Sequence, residues 1–338
     1  MSDQDIPLSG GLPVPKREAG QVAEHQVNEI KANVADLTVA TESSTPEEFL
    51  RKLLSTPDDQ LIPWEECVLP SKGMYYGWTD GTVYVKAMGQ AAEKVLATQR
   101  LAQSGQSIDY LFRECVRFPA GFQPEDMLIG DRVFLLYFLR GITHGNMYEF
   151  AITCSNDECA RTSTHTYDLN ELSGTIQWAE SSLGAEPFRV HLPYLSKATN
   201  KDVYVSVRFL RGNDANDILN RRKTRKKMFA RPGGIKTRGK NPFENRRNDE
   251  AQSVDDSLTE NLEKLIVNVM GVADPIMIRQ FISKMHAQDT ATVREWLKDN
   301  TPGIDTTITV TCPECSSDFT VELPITEGFF RPSKSGRS

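Results

Sequence analysis

A chain of 338 residues, 39% hydrophobic and 25% charged, can build one large core or two ordinary ones. No apolar run approaches the roughly 20 residues of a membrane helix, and the N-terminus lacks the basic-then-apolar order of a signal peptide. The formal net charge of -7 conceals a strong asymmetry along the chain, and six cysteines without a secretory signal point to a reducing compartment.

Residues 1–44 carry seven acids and three bases without a sustained period, and read as a disordered acidic tail. Order is expected from Thr45-Pro46-Glu47-Glu48, a helix start leading into Phe49, Leu53 and Leu54. A turn-rich loop, 68–77, feeds a strand through Val83, Val85 and Ala87, and residues 91–101 are helical in composition. Ser107 then opens a short helix with Ile108, Leu111, Phe112 and Cys115 on one face. That spacing makes Cys115 a core residue. Cys67, with no cysteine or histidine near it in sequence, takes the same reading. From Gly130-Asp131 a nearly all-apolar segment, 133–139, reads as a helix buried on every side, ending at Arg140-Gly141.

Further on, Phe188, Val190 and Leu192 alternate on one strand, and Val203, Val205, Val207 and Phe209 on its partner, with Arg189 and His191 facing solvent. Between Arg221 and Arg247 stand twelve basic residues and one acid, broken by Pro232-Gly233-Gly234 and Asn241-Pro242, so a basic flexible insert is expected over 211–250. A helical segment, 251–304, follows in three parts. Ser257 and Glu260 form a capping box ahead of Leu262, Leu265, Ile266 and Val269. Asp274-Pro275 starts the second helix and Asp289 the third.

Two cysteine knuckles carry the chemistry. Cys154 and Cys159 lie between alternating runs, Tyr148, Phe150 and Ile152 before and His165, Tyr167 and Leu169 after. Cys312 and Cys315 lie between Ile308 and Val310 on one side and Phe319, Val321 and Leu323 on the other. Each knuckle therefore reads as the tip of a hairpin, and four thiolates from two tips can close one tetrahedral Zn2+ site. Two disulfides or four unconnected thiols are the alternatives. Four cysteines leave no open position for a catalytic water, so the zinc is expected to be structural. The fold expected is α+β: small antiparallel hairpins forming a split zinc ribbon, with flanking and inserted helices. Its parts are an N-terminal α+β region at 45–210, the basic insert, the helical segment, and a second knuckle hairpin at 305–332 that completes the ribbon. Residues 333–338 form a tail.

Leu69-Pro70-Ser71-Lys72-Gly73, the block from Asp131 through Arg140-Gly141-Ile142-Thr143-His144-Gly145, the two knuckles and Phe329-Phe330-Arg331-Pro332 follow one another in this order. In that order the sequence resembles the baseplate hub and hub-assembly proteins of T-even-type, contractile-tailed bacteriophages, from about Glu47 to Pro332. The resemblance implies a structural or assembly role without chemistry, in the virion tail baseplate or in the host cytoplasm during assembly. Its partners would be other baseplate hub or tail proteins, in an oligomer within the baseplate, with no membrane involved. The residues agree, since no Gly-rich phosphate loop, H-E-x-x-H or G-x-S-x-G is present and the five histidines are scattered singly. His144, in a Gly-bracketed turn, reads as a backbone-bonding residue more than a ligand. The basic stretch is expected to dock on a protein, with Arg221, Arg222, Lys226 and Lys227 pairing with carboxylates of a neighbouring subunit. The rival reading is a zinc-ribbon nucleic-acid-binding protein using 221–247. Against it, the stretch holds only Phe229 and Phe243 as aromatics and the chain as a whole is acidic.

Overall fold

The computed structural model describes residues 45–55, 61–97, 106–229, 260–325 and 327–330, and the expected tails at 1–44 and 333–338 lie outside them. The fold is α+β, with helices around small antiparallel sheets. Helix α1 (Pro46–Ser55) opens on a capping box, the Thr45 N–H donating to Glu48 Oε2 at 3.0 Å and the Glu48 N–H to Thr45 Oγ1 at 3.4 Å. It buries none of its residues. Strands β1 (Trp64–Val68), β2 (Thr82–Lys86) and β3 (Val116–Arg117) make a sheet with β2 central. Helices α2 (Gln90–Ala97) and α3 (Ser107–Cys115) lie between β2 and β3. Cys67, Val83 and Val85 are fully buried with Leu111, Phe112 and Cys115, so both cysteines are core residues. Burial pushes the Cys115 thiol up to about 12 and raises that of Cys67 as well.

The organising element is α4 (Ile129–His144), buried from Phe134 through Ile142. It outruns the expected apolar segment because Arg140 stays inside it and Gly145, at φ 82, ends it. A Cβ on Gly130 would stand 1.9 Å from the Pro302 carbonyl oxygen, so glycine alone lets the helix start pack this closely. Asp131 does not cap its own helix. It is fully buried and reaches back to the 69–77 loop, accepting the Ser71 N–H at 3.0 Å and the Tyr76 hydroxyl at 2.6 Å. Two sequence blocks 60 residues apart are joined by this one carboxylate. Burial, opposed by bonds from Ser71 and Tyr76, pushes its pKa up to about 6.

Strands β4 (Met147–Thr153) and β5 (Thr162–Asp168) form the first knuckle hairpin, in unbroken register from Met147 opposite Asp168 to Thr153 opposite Thr162. After β6 (Ile176–Gln177) comes a second sheet, β7 (Phe188–His191), β8 (Tyr204–Val207) and β9 (Ile266–Val269), with β8 central. Strands β7 and β8 are joined not by a turn but by α5 (Pro193–Thr199).

Three expectations change here. The basic insert begins as helix, α6 (Gly212–Phe229), because no proline intervenes before Pro232. Of the expected capping-box helix, Ser257 lies outside the described residues and 260–265 are helical, but Ile266 and Val269 belong to strand β9. Their β-branched run is completed by pairing with β8, which local helical spacing cannot anticipate. Helices α7 (Pro275–Lys284) and α8 (Ala287–Asn300) follow, so the 251–304 stretch is helical only in part. Asp274 caps α7, its Oδ1 accepting the N–H groups of Ile276 and Met277. Asp289 does not open α8; His286 does, accepting the Gln288 N–H. The fully buried Asp289 carboxylate instead accepts the Tyr194 and Leu195 N–H groups at 2.8 and 3.1 Å, capping α5 from across the fold.

The chain closes with β10 (Gly303–Ile304), paired to β6, then the second knuckle hairpin β11 (Thr307–Thr311) and β12 (Asp318–Glu322), and α9 (Glu327–Phe330). One apolar core gathers α3, α4, the first sheet and both knuckle hairpins, and a second gathers β7–β9 with α7 and α8.

Candidate metal centre

Both hairpins are aimed by α4. At its C-terminal end the buried Arg140 donates to the Gly145 and Met147 carbonyls at 2.6 and 3.2 Å, fixing the turn from which β4 leaves. The His144 Nε2–H donates to the Phe330 carbonyl at 2.8 Å, which holds α9 near the same end. The Tyr137 hydroxyl donates to the Leu323 carbonyl at 2.9 Å and the Tyr148 hydroxyl to that of Pro324 at 2.8 Å, so the exit from β12 is tied to α4 and β4. Phe329 stands edge-on to Tyr137 and Tyr148.

With the strand bases fixed, the tips converge. Cys154 and Cys159, after β4, meet Cys312 and Cys315, after β11, although the pairs are separated by more than 150 positions. Cys154 Sγ lies 3.7 Å from Cys315 Sγ, and Cys159 Sγ lies 3.9 Å from Cys312 Sγ. All four sulfurs fall within 4.8 Å of one another. A tetrahedron with metal–sulfur bonds of about 2.3 Å has edges of about 3.8 Å, whereas a disulfide is about 2.05 Å long. The thiols are free and spaced as ligands around a common centre.

The backbone around the sulfurs fits the same purpose. The second cysteine of each knuckle is followed by a residue in the left-handed region, Ala160 at φ 44 and Ser316 at φ 56. A non-glycine residue there costs about 1–2 kcal/mol. In return, the next N–H in each knuckle turns back onto sulfur: Arg161 to Cys159, and Ser317 to Cys315. A third N–H, from Asn156, points at Cys154. Each such bond favours thiolate over thiol. The Ser317 hydroxyl and N–H hold Cys315 at about 6. At Cys154 the Asn156 N–H acts in the same direction, but burial and the neighbouring thiols of Cys315 and Cys312 outweigh it and push the group up to about 12. Four thiols this close cannot all ionise without a cation among them.

Two contacts bridge the tips outside the sulfurs, Asn156 Nδ2 to Ser317 Oγ at 3.4 Å and Arg161 to Glu314 at 2.6 Å. Sequence reading missed them, although residues two places beyond a knuckle cysteine are where such support is found.

The expected partner-binding residues lie elsewhere. Arg221 faces Glu263 at 3.6 Å and Arg222 faces Glu260 at 2.9 Å, both within this chain, and Arg279 also reaches Glu263. Two of the acids that follow the basic stretch in sequence, Glu260 and Glu263, therefore pair with its first arginines. The side chains of Lys226 and Lys227 lie outside the described residues.

Four thiols gathered at the junction of two hairpins are compatible with metal binding, in a fold of small sheets arranged around one buried helix. The chain belongs to the T4 bacteriophage base plate protein family, whose model matches residues 65–331, from within β1 to just past α9. Both knuckles, α4 and the 69–77 loop fall inside the match, and α1 precedes it. No match was found among curated proteins or among solved structures. Membership of the family gives the protein a structural role in the phage baseplate. Among the described residues no helix is long and apolar enough to cross a membrane.

Proposed function

We propose that the chain is a non-enzymatic component of the baseplate hub of a contractile tail, present in the virion or acting in hub assembly. A Zn2+ held by Cys154, Cys159, Cys312 and Cys315 completes a split ribbon and clamps the two halves of the chain together. The observation that supports the metal is the sulfur spacing of 3.7–3.9 Å across the two tips. Zinc would supply charge neutralisation for the thiolates and a cross-link, and with four protein ligands it leaves no position for water. The chain's own part is to hold the tips in place through α4, and to hold the thiolates through three N–H groups. Bringing ends about 150 residues apart together costs about 4–5 kcal/mol, and a structural zinc returns on the order of 10 kcal/mol.

The hub reading adds that α6 meets a neighbouring subunit, where Arg221 and Arg222 exchange Glu263 and Glu260 for its carboxylates and Lys226 and Lys227 extend the contact. Glu260 is buried and Glu263 largely covered, so losing both arginines should cost on the order of 1–3 kcal/mol, and the four-fold glutamine variant should be weakened but still folded. The test is an assembly assay on phage depleted of the wild-type chain, with tails scored by electron microscopy and mass spectrometry. The four-fold variant should fold and bind metal yet fail to enter the hub. Normal tails with the variant incorporated would remove α6 from the interface, and retarded DNA fragments with a steep salt dependence would move it to nucleic acid.

A further inference from the structure

The first knuckle hairpin is a sheet of two strands, and among the described residues no strand pairs with the outer side of β5. The ladder shows which groups face outward there. The Cys154 N–H bonds the Arg161 carbonyl at one end, and the Leu169 N–H bonds the Asn146 carbonyl at the other. Antiparallel alternation then turns the backbone groups of Ser163, His165 and Tyr167 toward β4, and those of Thr162, Thr164, Thr166 and Asp168 away from it. Some other edge strands carry charges that blunt them, Glu65 and Glu66 in β1, Arg189 in β7, Asp318 and Glu322 in β12, whereas β9 and β11 carry none. Strand β5, Thr-Ser-Thr-His-Thr-Tyr-Asp, has no lysine, arginine, proline or bulge, and its one acid is at the end.

A second observation falls on the same edge. The inward residues of β4, Tyr148 and Phe150, are buried, as are Ile308 and Val310 of β11. The inward residues of β5, Ser163, His165 and Tyr167, are only half-covered. An added strand would both pair the outward backbone groups and finish this face.

We propose that the outer edge of β5 pairs antiparallel with β5 of a second copy of this chain, making a continuous four-stranded sheet from two hairpins. Self-complementarity selects the occupant. With His165 opposite its own counterpart, all seven residues pair, and the outward-facing backbone groups of all four even-numbered residues bond. On the solvent face Thr164 meets Thr166 of the other copy, a favourable cross-strand pair. Asp168 meets Thr162, so no like charges are opposed. The pairing rests on β5 alone and does not depend on the bound metal or on α6.

The register makes the test specific. Thr164 and Thr166 are exposed, so substituting them disturbs no contact of the core. Sedimentation equilibrium of the full chain should show a dimer for wild type and a monomer for Thr164→Lys/Thr166→Lys, which opposes lysines across the interface. Thr164→Lys/Thr166→Glu should restore the dimer, because each lysine then faces a glutamate. Far-UV circular dichroism should be the same for all three. A wild type that stays monomeric at its highest soluble concentration overturns the proposal and leaves the edge to a strand of another baseplate protein. A dimer unaffected by the two lysines, or not recovered by the lysine–glutamate variant, overturns it equally.

Discussion

Two buried aspartates show how single residues hold this fold across long distances in sequence. Asp131 and Asp289 each sit in the first turn of a helix and each spend their carboxylate on a different element. For Asp131, burial raises the pKa from 3.8 to about 6, so the protonated form is the one the folded state favours. The sign follows: its contribution is fully present below pH ~4 and is lost as the pH rises through about 6. The difference corresponds to roughly 3 kcal/mol. Urea midpoints of wild type and Asp131→Asn, compared from about pH 4 to 7, should therefore show wild type losing its relative advantage as the pH rises. A difference independent of pH would mean that Asp131 stays ionised throughout. Asp131→Ala, which strands the Ser71 N–H and the Tyr76 hydroxyl, should cost about 2–4 kcal/mol near pH 4 and less as the pH rises through about 6.

At the level of elements, the legible parts were those whose signal is local. Alternation around the knuckles located β4, β5, β11 and β12, and the apolar run located α4. Where the deciding partner is remote, local pattern misled. Leu262, Leu265, Ile266 and Val269 fit a helical spacing, yet the chain from Ile266 onward is drawn into the sheet by β8. Asp289 looked like the cap of its own helix, and nothing near it in sequence marks Tyr194 and Leu195 as its donors, 95 and 94 positions away. Asp289→Ala should cost about 2 kcal/mol by removing the carboxylate cap of α5, while Asp289→Asn, which keeps an acceptor, should cost about half of that. Chemical denaturation at neutral pH measures both. Equal losses would show that the charge matters more than the bonds.

For the molecule as a whole, the four candidate ligands could be read from spacing and alternation, but what supports them could not. Ala160 and Ser316 adopt left-handed backbone without a glycine to announce it, and the N–H groups of Asn156, Arg161 and Ser317 enter through that geometry. The cysteine cluster brings β4 and β5 to β11 and β12, hairpins that lie on either side of the intervening sheet and helices within the family-matched region. If zinc holds it, Cys312→Ser should lower the melting temperature by several degrees and make the protein insensitive to further chelation. The most direct measurement is the metal content of the purified chain before and after dialysis against a chelator. One zinc per chain, lost together with thermal stability, is the predicted result. Less than half an equivalent, with melting unchanged in the Cys312→Ser protein, would contradict it.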